Sequence, residues 1–586
     1  MILTLAQLDF TVGDLEGNTQ KILSTLEEQR RLIGSEGVET VCIAFPELAL
    51  CGYPPLDLLD NQSFIEQQLD ALQEVCRATF GLLHVYVFLG YVEKNSGAGK
   101  ALHNSVAVCH NGQVIYNYRK RLLPTYDVFD EDRYFEPGKE AGIVTIEGWR
   151  IGLLVCEDIW VTNRYNVDPP AELRKTQVDV ILSLNASPSS VGKLEARITR
   201  AEEIVQRQSA PLFYLNQVGG NDELVFDGNT FVSSEWGRQY HAQTHVTGDA
   251  FKEGVYSFRL DKKLIPNWGV CTTWHVVRDI HKKSPLTLID KENPKRDFGA
   301  FFYDQAVCGV RDYMRKCGFK KAVIGSSGGI DSAVTMAIAV EAVGAENVIA
   351  ITMPSEYSSV GSVDDSAVLC SNLGIENFKT IPIRDQFQGF MDTFNEHMGD
   401  EEAGVTEQNV QARIRGQILM AVSNRTGALV LSTGNKSELS VGYCTIYGDM
   451  CGGLAPISDC YKMEVYEIAR YVNRKAQGEV IPVSIIDKAP SAELAPGQKD
   501  TDNLPPYEIL DYVLKYLIEG YVSVNLHVGM KRAPKKTRAL LEKIHGMLMR
   551  TEFKRRQAAI GLKMHDKAFG QGRRYPIASK VKLGGF

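Results

Sequence analysis

The stretch Ser327-Gly328-Gly329-Ile330-Asp331-Ser332 constrains this chain most, because it lies between a short apolar strand and a run with helical spacing. Upstream, Lys321-Ala-Val-Ile-Gly325 reads as a strand; downstream, Asp331-Ser-Ala-Val-Thr-Met-Ala-Ile-Ala-Val340 reads as a helix. The glycine turn therefore opens a helix N-terminus, where backbone N–H groups cradle anions and the missing Cβ lets a phosphate approach. It is not a Walker loop: the sequence lacks Gly-x4-Gly-Lys-Ser/Thr, and Gly97-Ala-Gly-Lys-Ala101 has neither the spacing nor the hydroxyl. A bare Gly-Gly turn has an ordinary structural explanation. Six residues in a strand-to-helix context point instead to a phosphate loop.

A chain of 586 residues holds two or more domains. Before residue 280, strands are predicted at Leu3–Phe10, Val41–Phe45, Val85–Val92, Ser105–Cys109, Gln113–Tyr118, Ile151–Cys156, Val180–Leu184 and Leu212–Asn216. Amphipathic runs such as Asn18–Leu32 and Gln62–Phe80 intervene, the pattern of a layered α/β domain. Residues 278–297 are charged and punctuated by prolines, and read as a linker between a domain at 1–277 and another at 298–586. In the second, strands at Ala322–Ile324, Val348–Met353, Thr380–Ile383 and Ala428–Ser432 alternate with helices, as in a doubly wound parallel sheet. A net charge of -8 and a pI near 5.9 argue against a general nucleic-acid binder. The twelve cysteines show no Cys-x-x-Cys or His/Cys ligand spacing, which suggests neither a zinc site nor a disulfide framework and fits a cytoplasmic protein. No apolar run approaches membrane-spanning length, and the first residues read as a strand rather than a leader.

Three residues of the N-terminal half stand at strand ends, where functional groups of layered α/β domains collect. Cys156 follows Arg150-Ile-Gly-Leu-Leu-Val155, Glu47 lies in Phe45-Pro-Glu-Leu-Ala-Leu-Cys-Gly-Tyr-Pro-Pro55, and Lys120 lies in Tyr118-Arg-Lys-Arg-Leu-Leu-Pro-Thr-Tyr126. Singly, each has a dull reading: a packed cysteine, a solvated charge. Together these segments resemble the Glu-Lys-Cys triad of the nitrilase (carbon-nitrogen hydrolase) superfamily, in that chain order. The resemblance implies an αββα sandwich in which Lys120 favours the Cys156 thiolate and stabilises the tetrahedral oxygen while Glu47 shuttles the proton. Glu131, in Tyr126-Asp-Val-Phe-Asp-Glu-Asp-Arg-Tyr-Phe135, resembles the additional carboxylate that holds the lysine.

Further matches extend over nearly the whole chain. They are Asn185-Ala-Ser-Pro-Ser-Ser-Val-Gly-Lys193, Asn216 to Asn229, Glu407-Gln-Asn-Val-Gln-Ala-Arg-Ile-Arg415, Leu431-Ser-Thr-Gly-Asn-Lys-Ser-Glu438, Gly442 to Asp449, Ala489-Pro-Ser-Ala-Glu-Leu494 and Glu552-Phe-Lys-Arg-Arg-Gln557. They resemble the glutamine-dependent NAD synthetase family, whose C-terminal domain is a Rossmann-like doubly wound sheet of the adenine nucleotide α-hydrolase type. The resemblance assigns glutamine to Tyr126, Ser187 and Lys193. It assigns ATP to Gly325, Ser326, Ser327, Gly328, Gly329, Ile330, Asp331, Ser332 and Thr433, and deamido-NAD to Asn409, Glu438 and Lys554. Asp331 and Glu438 are hard oxygen donors suited to Mg²⁺ on ATP phosphates. Ser326, where relatives often carry an apolar residue, and Gln557-Ala-Ala-Ile-Gly561, which lacks a proline pair, depart from the pattern.

The expected function is ATP-dependent amidation of deamido-NAD with nitrogen from glutamine, by a homo-oligomer that uses neither nucleic acid nor membrane. Two other readings stand beside it: a nitrilase-type hydrolase fused to a nucleotide-binding regulatory module, and an amidotransferase with a different acceptor. Pyrophosphate release that depends on deamido-NAD discriminates the first. The Cys156 domain type and Pro490-Ser-Ala-Glu-Leu494 speak against the second. The basic stretch Lys531–Lys536 reads as solvated surface, with anion binding as the alternative.

Overall fold

A computed structural model of the chain describes residues 1–33, 40–162, 164–236, 241–265, 269–277, 287–288, 297–399, 402–520 and 535–580. Most of the linker stretch and of Lys531–Lys536 lies outside them. The chain divides into two compact units, Met1–Lys295 and Arg296–Phe586.

The first unit contains two seven-stranded sheets. One runs in the order Gly269–Val277, Gly254–Ile265, Ile2–Gln7, Val41–Ala44, Val85–Lys94, Leu102–His110, Gln113–Arg119; the other runs Thr287–Leu288, His241–Val246, Phe231–Trp236, Leu212–Asn216, Val180–Asn185, Trp149–Val155, Gly142–Ile146. Each is a parallel triplet flanked by antiparallel strands. Strand alternation sorts the side chains. Cys42, Ala44, Leu182 and Leu184 enter a cluster drawn from both sheets, while Val41 and Ile43 pack with Ile22 and Val75 of one helical layer and Ile181 with Ile198 and Val205 of the other. The outer helices are Leu15–Ile33 and Gln62–Ala78 on one side and Lys193–Gln208 on the other. The layers are thus αββα, with both faces of the central strands buried, which is why those strands read as continuous apolar runs.

All eight strands expected in this half are present. The antiparallel flanks at Gly142–Ile146, Phe231–Trp236, His241–Val246, Gly254–Ile265 and Gly269–Val277 were not legible. His241-Ala-Gln-Thr-His-Val246, for example, carries too few apolar residues to announce a strand, and tertiary pairing decides it. Thr287–Leu288, inside the stretch read as a linker, is instead an edge strand, pairing with Val246 and His245.

In the second unit four parallel strands run in the order Phe378–Thr380, Val348–Thr352, Ala322–Gly325, Leu429–Val430. The order in space is third, second, first, fourth, so connections leave the first strand in opposite directions and a crevice opens at its C-terminal end. Helices Phe298–Lys316, Ile330–Val343 and Lys462–Ala476 pack together, while Arg384–Met398 and Val405–Thr426 cover the cluster of Val323, Ile351 and Val430. The third strand spans Phe378–Thr380 where Thr380–Ile383 was predicted; past it Ile381 and Ile383 still donate to Thr352 O and Pro354 O, at 2.9 and 3.0 Å, and Pro382, between them on the edge, faces away from that ladder.

Candidate functional site

Two sites emerge, one in each unit. In the first unit Glu47, Lys120, Glu131 and Cys156 are all buried. Lys120 donates from Nζ to Glu47 Oε1 at 2.7 Å and to Glu131 Oε1 at 2.8 Å. Glu47 also accepts from Asn104 Nδ2 at 2.8 Å and, on its other oxygen, from the backbone N–H of Ala186 at 3.0 Å. Glu131 accepts from Tyr53 Oη at 2.8 Å. Gly90 makes room for this turn: a Cβ there would lie 2.3 Å from Pro46 O and 2.4 Å from Leu48 N.

Cys156 occupies the first position after the strand Trp149–Val155, with φ at +42°, a left-handed conformation that non-glycine residues adopt at a cost. Asp158 holds that turn. Its fully buried carboxylate accepts from the N–H of Val155 at 2.9 Å, of Arg121 at 3.1 Å and of Leu122 at 3.0 Å, and from Tyr118 Oη at 2.8 Å. One side chain therefore ties the nucleophile turn to the segment carrying Lys120.

Burial works against the Lys120 ammonium, but Glu131 and Glu47 outweigh it and hold the group well above its ordinary range. Burial, opposed by Lys120, raises the Glu131 carboxyl to about 7. Lys120 favours the ionised form of Cys156, as expected, but other groups act against it. Burial and then the Glu47 charge push the thiol well up, and Lys120, already matched by two carboxylates, only partly offsets them.

Of the expected glutamine contacts, Tyr126 donates from Oη to both Glu157 oxygens, at 3.1 and 2.9 Å. Tyr165 Oη reaches the same carboxylate at 2.8 Å. Lys193 lies 4.2 Å from the centre of the Trp160 ring, and its charge is felt at Glu157. Ser187 Oγ accepts from Arg197 Nε at 3.1 Å, and the buried Arg197 is paired with Asp227 at 2.7 Å. Sequence reasoning missed Tyr53, Asn104, Glu157 and Asp158. Glu157 and Asp158 adjoin the nucleophile in Val155-Cys-Glu-Asp158, a signal that could have found them; nothing local marks Asn104.

In the second unit a cleft of about 620 Å³ opens at the crevice of the sheet. Gly325, Ser326, Ser327, Gly329, Ile330, Asp331, Ser332, Thr433, Asn409, Glu438 and Lys554 line it. Gly328 forms the bend behind the loop, with φ at +72°, where a Cβ would meet Ser362 O at 2.4 Å. Ser327 and Ser332 hydroxyls lie 3.2 Å apart, and Ser332 Oγ donates to Gly329 O at 2.9 Å. Asn409 Oδ1 accepts from Thr445 Oγ1 at 2.7 Å; Lys554 Nζ donates to the carbonyls of Gly442 and Cys444, at 2.8 and 2.7 Å. Ser326 carries a buried hydroxyl with no partner among the described residues.

Asp331 and Glu438 meet at one cation, the Lys462 ammonium, which pairs with Asp331 Oδ2 and lies 3.0 Å from Glu438 Oε1. Asn435 links the two: its Nδ2 donates to Asp331 Oδ1 at 2.9 Å, and its Oδ1 accepts from the N–H of Glu438 at 3.0 Å. Burial, against Lys462, raises the Glu438 carboxyl to about 7. Two carboxylates that converge on one positive charge are the hard-oxygen donor type that divalent ions such as Mg²⁺ take. Among the described residues no group of three or more His, Cys, Asp or Glu is placed to hold a metal ion. Lys462 and Arg415 are cleft residues that sequence reasoning did not assign. Arg415 donates from Nε to Met353 O at 3.0 Å, and burial pulls its guanidinium down to about 10.

The carbon-nitrogen hydrolase family matches residues 2–268 and the NAD synthase family residues 302–558. The fold and the two sites thus define a nitrilase-type amidohydrolase unit followed by an NAD synthase unit. The glutamine-dependent NAD(+) synthetase of Synechocystis sp. is 41% identical over 98% of each chain, and that of Thermotoga maritima 40% identical over 99% of this chain and 98% of its own. Among solved structures, the glutamine-dependent NAD+ synthetase of Acinetobacter baumannii in complex with ADP superimposes with a TM-score of 0.72 at 36% identity, covering 98% of both chains. The chain belongs to the glutamine-dependent NAD(+) synthetase family.

Proposed function

We propose that this chain forms NAD from deamido-NAD, ATP and glutamine, releasing AMP, pyrophosphate and glutamate. The observation that carries the reading is that both halves match that family over the full length while each contains its own constellation, a buried Glu-Lys-Cys centre and a phosphate-loop cleft.

In the first unit the Glu157 carboxylate suits the α-ammonium of glutamine and Lys193 its α-carboxylate, with Tyr126 and Ser187 beside them. Cys156 Sγ attacks the side-chain amide carbon as Glu47 takes the thiol proton. The oxygen that turns negative is met by the Lys120 ammonium, which Glu131 and Glu47 keep charged. Glu47 returns the proton to the departing ammonia and then activates water against the thioester.

In the second unit the loop from Gly325 to Ser332 receives the ATP phosphates at the N-terminus of the helix Ile330–Val343, and Thr433 contacts the nucleotide. Asp331 and Glu438 would hold Mg²⁺, which when bound neutralises phosphate charge; Lys462 and Arg415 add cationic groups. Asn409, Glu438 and Lys554 bind deamido-NAD. Its nicotinate carboxylate is adenylated and ammonia then displaces AMP. We place the division between the halves within 278–297 and the protein in the cytoplasm. We infer a homo-oligomer, a reading supported by exposed apolar side chains at Phe390, Met398 and Val405. Among the described residues no helix is long and apolar enough to cross a membrane.

Incubation of the purified chain with ATP, Mg²⁺, deamido-NAD and glutamine, with NAD, glutamate and pyrophosphate quantified, tests the reading. Equal yields of NAD and pyrophosphate that require deamido-NAD support it; glutamate release alone would leave the regulated-hydrolase alternative.

A further inference from the structure

Outside both sites, Cys76 and Cys109 place their sulfurs 2.9 Å apart in the interior of the first unit. Cys76 sits in the last turn of the helix Gln62–Ala78 and Cys109 near the end of the strand Leu102–His110, and both belong to one apolar cluster. The elements that carry them are pinned. Gln68 exchanges two hydrogen bonds with the backbone of Val92, at 3.1 and 2.6 Å, and so fixes the helix to the sheet. At the helix end, Thr79 Oγ1 donates to Cys76 O at 2.6 Å and accepts from the N–H of Gly112 at 3.0 Å, which fixes the last turn against the hairpin after Cys109. Two rigid supports hold the thiols face to face, and closure by about 0.9 Å reaches the ordinary sulfur–sulfur bond length.

We propose that Cys76 and Cys109 form a peroxide-oxidisable dithiol, which closes a reversible disulfide between the outer helix and the first sheet. The Cys76 thiolate attacks one oxygen of hydrogen peroxide; an S–O bond forms, the O–O bond breaks, and hydroxide leaves and is protonated to water. Cys109 then attacks the sulfenic sulfur; an S–S bond forms, the S–O bond breaks, and the second water departs with the Cys109 proton. The cysteines are oxidised by two electrons and the peroxide is reduced.

The contact between the two sulfurs favours ionisation of one thiol of the pair. The Cys109 thiol against it holds the Cys76 thiol below its ordinary value in spite of burial. Contact with Cys76, together with burial, pushes Cys109 well up. Burial alone raises Cys370 to about 12, and burial dominates at Cys42 and Cys51, also at about 12, so these remain inert thiols.

The test exposes the native full chain to a graded series of hydrogen peroxide concentrations. Thiols that remain are then capped with N-ethylmaleimide in denaturant, and the chain is digested for mass spectrometry without reduction. The expected product is a linked pair of peptides containing Cys76 and Cys109, lighter than the two reduced peptides by about 2 Da for the two hydrogens lost and restored by dithiothreitol. C109S should leave a sulfenic acid at Cys76 that dimedone captures, and C76S should yield no linked product. Two results would overturn the proposal. One is recovery of both cysteines as capped thiols at peroxide levels that already oxidise the exposed Cys317; the other is a bridge from either of them to a different cysteine.

Discussion

The two sites solve opposite problems. The amidohydrolase centre is closed: Glu47, Lys120 and Cys156 are buried, and one ammonium, Lys120, serves the carboxylates of both Glu47 and Glu131. The synthetase site is an open cleft of about 620 Å³ whose lining includes Asp331, Glu438 and Lys554. A small amide needs a reaction vessel more than a binding surface, and removal from water strengthens each interaction around the developing oxyanion. Two nucleotides need area, separate anion-binding elements and room to leave. The contrast also locates fragility. In the closed site one misplaced backbone segment disturbs everything, whereas in the open one the loss of a single wall residue weakens binding.

Substitutions in each site sharpen that contrast, and the largest effect should come from the nucleophile. C156A should lower glutamine-dependent NAD formation by more than about a thousandfold. Ammonium-dependent formation should persist, because the cleft retains all its residues. NAD formation from glutamine at wild-type rate would assign the nucleophile elsewhere.

D331N should remove NAD formation with either nitrogen donor to a comparable extent, since one carboxylate charge leaves the phosphate site, while glutamate release in the absence of ATP continues. Parallel assays with glutamine and ammonium check this, and a deficit confined to glutamine would contradict the separation of the sites.

The next effect is smaller and tests positioning. D158N keeps the shape but sets an amide against three backbone N–H groups, so the turns bearing Cys156 and Lys120 should shift. A displacement of that kind costs about a hundredfold in kcat for glutamine, with KM nearly constant and ammonium-dependent synthesis intact. Equal losses with both donors would mean general unfolding instead.

In the open site, G328A places a Cβ against Ser362 in a left-handed backbone and should raise KM for ATP by about tenfold or more, leaving glutaminase activity unchanged.

The smallest effect concerns stability and pH. Glu464 lies on a helix of the second unit, bonded to His565 Nε2 at 2.9 Å and Lys515 Nζ at 2.6 Å. Burial opposes its charge, but His565 and Lys515 prevail and hold the carboxyl at about 2. Because the folded-state value lies below the unfolded one, the contribution is present in full above the ordinary carboxylate range and disappears as pH falls toward 2. It is on the order of 1–3 kcal/mol. Chemical denaturation of wild type and E464Q should differ by about that amount at pH 7 and converge in acid. A difference independent of pH would assign the loss to packing.

How much of this was legible follows from the kind of interaction involved. Local pattern carried the strand, glycine bend and helix N-terminus at Ala322–Val343, because they are consecutive in the chain. It carried the parallel strands too, since burial on both faces writes a continuous apolar run. The family pattern pointed to Glu47, Lys120 and Cys156, which the fold then brings together from three strand ends. The antiparallel flanks, with mixed polar and apolar residues, stayed silent. So did Asn104, whose amide matters only because Glu47 and Glu131 arrive beside it across 57 and 27 residues of chain.

The sequence by itself determined the two-part α/β architecture, the glycine turn between strand and helix and the residue types of the triad, because these depend on neighbours in the chain. Only the tertiary structure decided that Cys156 is buried beside Glu47 and Lys120, that Asp158 joins the Cys156 turn to the Lys120 segment, and that Asp331 and Glu438 share Lys462. Electrostatic balance depends on distance and burial, which arise when segments far apart in sequence fold against one another.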